Sequence, residues 1–62
     1  MRTYTLYIED DRYSVPTLLF TTAVDDDAAL RFANDVLAKP HHRSVEVRDD
    51  DVVVFRLAAE IA

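Results

Sequence analysis

The spacing of the hydrophobic residues changes twice along the chain. In residues 2–24 apolar and polar side chains alternate, as they do on the two faces of β-strands. Residues 25–39 carry apolar side chains at helical spacing, and alternation returns in residues 44–58. The pattern predicts one ββαββ domain over residues 1–62, with strands at about 2–9, 17–24, 44–48 and 52–58 and a helix at about 26–38.

The helix has recognisable start and stop signals. Asp25 is a favourable N-cap residue, and acidic residues in the following turn complement the positive end of the helix dipole. Pro40 disfavours the helical conformation in the residue before it, so the helix should end near residue 38 or 39. The apolar stripe expected to face the sheet consists of Ala29, Leu30, Phe32, Ala33, Val36 and Leu37.

Strand directions suggest an α+β fold in which a four-stranded, mainly antiparallel sheet packs one face against the helix. The strand order 2-1-3-4 is favoured, and 1-2-4-3 is the competing order. From the first and last strands, the residues expected to face the helix are Tyr4, Leu6, Ile8, Val53, Phe55 and Leu57. The second strand is ambiguous because large apolar groups occur on both of its faces.

Length and composition narrow the classes of protein. A chain of 62 residues forms one domain with a marginal core, which favours association with a partner. Glycine is absent, so turns must use Asp, Asn, Ser or Pro, and glycine-rich nucleotide-binding loops are excluded. Cysteine is also absent, which excludes disulfides and thiolate metal sites and is compatible with a reducing compartment.

Charge and hydropathy bear on location and partners. The longest aliphatic and aromatic run, residues 52–55, is too short to cross a bilayer, and the N-terminal segment lacks the apolar stretch of a signal peptide. We therefore expect an unprocessed cytoplasmic protein without membrane insertion. Twelve acidic against seven basic residues give a net charge of −5, which argues against direct nucleic-acid binding and favours basic partners.

Two aspartate triplets are expected to meet at one end of the domain. The second strand ends where the helix begins and where the last hairpin turns, whichever strand order is correct. The resulting acidic pole comprises Asp25, Asp26, Asp27, Asp49, Asp50 and Asp51. Aspartate is common at helix starts and in glycine-free turns for local reasons, and the spacing lacks the alternation of a calcium loop. The functional interpretation is a surface that attracts a basic partner.

Catalytic, metal and cofactor sites are not predicted. His41 and His42 are adjacent in a loop and do not point together, so they are expected to be surface residues rather than metal ligands. Ser14 and Ser44 lack the surroundings of an activated nucleophile, and a domain of this size has hardly any cleft. The sequence therefore favours a non-enzymatic protein.

The sheet face opposite the helix offers a stronger clue. Its apolar residues are expected to be Tyr7, Val52 and Val54 together with one of the two sets from the second strand, of which Leu18 with Phe20 is the candidate. Threonines and Arg56 dilute this surface, but it remains apolar enough to suggest a buried interface. The leading hypothesis is an interaction module, either a homodimer or an accessory subunit of a larger complex. The alternative is an acidic inhibitor that mimics nucleic acid and binds a basic protein.

Three segments, FTTAVDDDAAL at residues 20–30, SVEVRDDD at 44–51 and VVVFRL at 52–57, resemble short uncharacterised ββαββ proteins common in alphaproteobacteria. The resemblance covers nearly the whole chain and involves the capped helix start and the V-E-V hairpin. This chain differs in having Asp where such hairpins often have Gly. The resemblance implies a fold but no activity, so it transfers no functional residues.

Overall fold

The structure, a computed structural model, describes residues 1–59 and contains one antiparallel sheet and one helix. The elements are β1 (Arg2–Asp10), β2 (Thr17–Ala23), α1 (Asp26–Leu37), β3 (His42–Asp49) and β4 (Val52–Ala58). The strand order is β2-β1-β3-β4. This confirms the α+β ββαββ class and the favoured strand order. Residues 60–62 of the predicted domain lie outside the described residues.

The central strand β1 pairs with both β2 and β3, which leaves β2 and β4 at the two edges of the sheet. The β1–β2 ladder runs from Arg2 opposite Ala23 to Ile8 opposite Thr17 without a register shift. The β3–β4 ladder shifts register between Val47 and Arg48. The two edge strands therefore differ, because β2 pairs with its neighbour in an uninterrupted register and β4 does not.

The helix begins as the sequence predicts. The Asp25 side chain accepts a hydrogen bond from the Ala28 backbone N–H at 2.9 Å, which satisfies one of the free donors of the first turn. The helix ends at Leu37, and Ala38 forms the C-cap before Pro40. It contacts all four strands, and β3 more than any other.

The core lies between the helix and the sheet and is made of aliphatic residues with one tyrosine. The buried apolar residues are Tyr4, Leu6, Ile8, Ala23, Ala29, Ala33, Val36, Val45 and Val47. Two of the three buried helix residues are alanines, which allow the helix to approach the sheet closely. Phe32 was expected in this core but is exposed, because the narrow sheet contacts the row Ala29, Ala33 and Val36 and leaves Phe32 on the flank.

Within residues 1–59, two non-glycine residues adopt positive φ in turns. Asp50, in the β3–β4 turn, has φ 48°, and His41, before β3, has φ 73°. Aspartate and histidine are among the residue types that tolerate this conformation better than most. Asp50 therefore occupies the positive-φ turn position that glycine often occupies in such hairpins, in agreement with the glycine-free composition.

Candidate interaction surfaces

The structure resolves which face of β2 is covered. Leu19 packs against the buried core on the helix side, opposite Leu6 of β1. Leu18 and Phe20 lie on the outer face of the sheet, where 50% and 67% of their surface is exposed. We call Leu18 and Phe20 the β2 patch. The sequence left the face of this strand open, and the structure places Leu18 and Phe20, one of the two possible sets, on the outer side.

Exposed apolar residues are concentrated around this strand. Of the eight large hydrophobic side chains exposed among residues 1–59, five lie between residues 13 and 24. These five are Tyr13, Val15, Leu18, Phe20 and Val24. The edge of the sheet at β2 is therefore the most apolar region of the described surface.

The other half of the outer face is ionic. Glu46 accepts hydrogen bonds from Arg48 Nε at 2.6 Å and from Arg56 Nε at 3.0 Å. The Arg48 guanidinium carbon lies 4.3 Å from the centre of the Tyr7 ring, which covers much of that ring. The hydrogen bond from Arg48 holds the pKa of the Glu46 carboxyl below its usual value. Tyr7 therefore forms the border between the β2 patch and this ion-pair network.

Val52 and Val54 were expected on the outer face, and the structure corrects this. The shifted register pairs Val53, which was expected to face the helix, with Arg48 on the outer face, and it pairs Val52 with Asp49 on the helix side. Val54 packs against the core beneath the helix. The cause is the β3–β4 irregularity, which inserts one residue and so reverses the alternation at the start of β4. Apart from the half-buried Val53, the apolar part of the outer face is consequently limited to the β2 side.

The two aspartate triplets lie at the same end of the domain. Asp26, Asp49 and Asp50 line one open depression together with Arg2. Arg2 also borders the helix start and donates a hydrogen bond to Asp49 Oδ2 at 2.8 Å. The acidic pole therefore contains one cation between its triplets, which reduces its negative potential.

Asp26 also has a structural partner in the core. The hydroxyl of the buried Tyr4 donates a hydrogen bond to Asp26 Oδ1 at 2.6 Å. That bond, together with burial and the nearby carboxylate charge, raises the pKa of Tyr4 to about 12. Part of the acidic pole thus attaches the first turn of the helix to β1, in agreement with a local structural role.

The opposite end of the domain contains an ion pair between the buried Asp10 and the half-exposed Arg12. Asp10 is 4% exposed and accepts hydrogen bonds from the Arg12 guanidinium at 3.0 and 2.6 Å and from the Arg12 backbone N–H at 2.9 Å. The bonds from Arg12 hold the pKa of the Asp10 carboxyl well below its usual range. This pairing orders the start of the β1–β2 connection, which lacks regular structure.

The two histidines have different surroundings. His41 is exposed, and its Nδ1 lies 3.1 Å from Asp11 Oδ1. His42 was expected on a surface loop, but it begins β3 and its side chain is largely covered. His42 Nδ1 lies 2.6 Å from the Val36 carbonyl oxygen, to which it must donate, and its Nε2 lies 3.6 Å from Asp10 Oδ2. His42 therefore connects the end of the helix to the buried Asp10.

No family model, curated protein or solved structure matches this chain. Residues 1–59 contain no group of three or more histidine, cysteine or carboxylate side chains placed to hold a metal ion. No helix within the same residues has the length and hydropathy to cross a membrane.

Sequence reasoning missed two features of these surfaces. One is the contact between His42 and Asp10. Charged residues near both positions in the sequence gave only a weak signal that these two side chains would meet. The other is the different character of the two edge strands. The signal for that difference was present, because the segment TLLFTTA has no charged residue whereas VVVFRLA contains Arg56.

Proposed function

We propose that this protein is a non-enzymatic protein-interaction module that forms a homodimer through the β2 patch. The observation that carries the proposal is the exposure of Leu18 and Phe20 side by side on an edge strand without charged residues. The proposal assigns a cytoplasmic protein with neither a membrane nor a nucleic-acid partner.

The size of the domain supports an association of this kind. The nine apolar residues buried among the described part of the chain form a small core with little excess stability, so burying further apolar surface gains proportionally more. Each large side chain removed from water contributes about 1.5–3 kcal/mol before the entropic costs of association are subtracted. The β2 patch is the described surface where the chain can make this gain without first removing a charge from water.

An acidic inhibitor of a basic protein is the second candidate function. Its support is the common depression lined by Asp26, Asp49 and Asp50. Against it stand Arg2, which lies in the same depression, and the hydrogen bond that already occupies Asp26. The homodimer is the better supported of the two proposals because the β2 patch has no comparable local structural role.

The homodimer proposal is tested by light scattering over a range of protein concentrations. We expect the wild-type mass to rise from that of one chain to that of two, and Phe20→Lys to abolish the rise because a charge placed at the contact loses water without gaining a partner. Val52→Lys is the matched control, since Val52 is 66% exposed and Phe20 67% but the two lie at opposite edges of the sheet. A strict monomer, or equal effects of both substitutions, would refute the proposal.

A further inference from the structure

Strand β2 has an open edge. Within residues 1–59, β1 is the one strand that pairs with β2, so the other side of β2 presents backbone N–H and C=O groups along its length. Natural proteins usually protect such edges with charged residues, prolines or bulges. All seven residues of β2, from Thr17 to Ala23, are uncharged, none is proline, and the ladder to β1 has no bulge.

We infer that two copies of this chain join edge to edge through β2. The strands run antiparallel about a two-fold axis at Phe20 and form one continuous eight-stranded sheet from the two four-stranded sheets. This inference rests on the proposed function, for which it specifies the partner as a second copy and the contact as strand pairing. Stacking of the outer faces is the arrangement that it excludes.

The sequence of β2 favours a register centred on Phe20. Phe20 is the middle residue of the strand, so this is the register in which all seven residues find a partner. Larger side chains then lie opposite smaller ones, with Leu18 beside Thr22 of the second copy on the outer face and Leu19 beside Thr21 on the helix side. Phe20 faces its own counterpart, which gives the two-fold axis an aromatic pair.

Electrostatics favours this orientation over others in which a second copy could approach. Each chain has a net charge of −5, so two copies can approach most easily along an uncharged strand. Antiparallel pairing places the two acidic poles at opposite ends of the joined strands, about 20 Å apart for six residue steps at about 3.3 Å each. That distance exceeds the Debye length of about 8 Å at physiological salt by more than twofold, so repulsion between the poles is largely screened.

The position of the helix leaves room for this arrangement. Both helices lie on the same side of the joined sheet, each mainly over its own β3. Five strand spacings of about 4.8 Å separate the two β3 strands, which puts the helices about 24 Å apart. A helix with its side chains is about 10–12 Å across, so the helices do not collide.

The opposite edge ends the assembly at two chains. Strand β4 carries Arg56 and an irregular register with β3, both of which disfavour the addition of another strand. Joining two β2 strands therefore pairs the open edge of each chain. The outer edges of the joined sheet are then the two β4 strands, which carry the charge and the irregular register. The result is a closed two-fold dimer rather than an extending fibre.

Disulfide cross-linking tests the geometry directly, because the natural chain has no cysteine that could interfere. Single cysteine variants are oxidised at a concentration where the wild type is dimeric, and the cross-linked fraction is measured on a non-reducing gel. Phe20→Cys should cross-link with itself, since directly opposed residues lie about 4.5–5.5 Å apart, within disulfide range. Leu18→Cys alone should not, because its counterpart lies four residues away, at about 13 Å.

A mixture of two other cysteine variants tests the same pairing with Phe20 left in place. Leu18→Cys mixed with Thr22→Cys should give the mixed disulfide at several times the yield of either variant alone. Retained dimer mass with no cross-link from Phe20→Cys or from the mixture would overturn strand pairing while leaving the homodimer intact. Equal cross-linking of Leu18→Cys alone would also overturn the pairing, since it indicates stacked faces. A monomeric wild type would overturn the proposed function itself.

Discussion

Truncation of Leu6 is the perturbation that most strongly tests how the domain is held together. Leu6 is 0% exposed and lies at the centre of the sheet, between Leu19 of β2 and Val47 of β3. Leu6→Ala removes its contacts with both neighbouring strands and leaves a cavity in a core with little excess volume. Substitutions of this kind reduce the free energy of unfolding by about 2–5 kcal/mol.

The size of the domain converts this loss into a large change in population. A single core in a chain this short supplies about 3–5 kcal/mol of net stability. If the wild type has about 4 kcal/mol and Leu6→Ala removes about 3, the remaining 1 kcal/mol leaves roughly 15% of the chains unfolded, since RT is about 0.59 kcal/mol. The corresponding wild-type fraction is on the order of 0.1%.

The assay is urea denaturation followed by far-ultraviolet circular dichroism, at one fixed protein concentration because dimerisation adds a concentration-dependent stability. With a slope of about 1–1.5 kcal/mol per molar urea, a 3 kcal/mol loss lowers the midpoint by about 2–3 M. Leu30→Ala is the matched control, because Leu30 is half-buried on the helix and lies outside the core cluster. It should cost about 1 kcal/mol or less. Equal midpoint shifts for the two variants would refute the assignment of the core.

Three further predictions concern ionisation and the acidic pole. Because folding lowers the pKa of Asp10, its contribution to stability is present above about pH 3.8 and is lost as the pH falls below that value. Asp10→Asn should therefore reduce the loss of unfolding free energy on the acidic side of a stability–pH profile. An unchanged acidic side contradicts this. Folding raises the pKa of Tyr4, so the hydrogen bond from its hydroxyl to Asp26 persists below pH 10 and is lost as the pH rises through about 12. Tyr4→Phe should therefore remove the component that titrates at the highest pH when phenolate absorbance is followed. Replacing Asp49, Asp50 and Asp51 by Asn should leave the dimer mass unchanged, whereas a salt-sensitive loss of affinity for poly-lysine would favour the acidic inhibitor.

The fold was predictable because its signals are local and agree with one another. Asp25 marks the helix start, Pro40 follows its end, and alternation identifies each strand. The helix stripe was predicted in outline, but a helical wheel does not show how wide the sheet is. Phe32 is therefore exposed although it lies beside the buried row.

The candidate surface was predictable in part, and the reasons differ for each strand. On β2 the outer position of Leu18 and Phe20 follows once the regular pairing with β1 is known. On β4 the run Val52–Val53–Val54 has no polar residue to mark a face, so the register irregularity that turns Val54 towards the core left no trace in the pattern. The contact between His42 Nε2 and Asp10 Oδ2 joins distant parts of the chain, which no local signal specifies.

Amide hydrogen–deuterium exchange at low and high protein concentration tests the central claim, self-association through β2, most directly. The two edge strands serve as each other's control, because β2 and β4 each have seven residues and one open side among the described residues. Joining of two chains through β2 predicts that peptides covering Thr17–Ala23 become more protected as concentration rises, while peptides covering Val52–Ala58 do not. Equal protection of both strands at every concentration, or protection that grows on β4 alone, would contradict it.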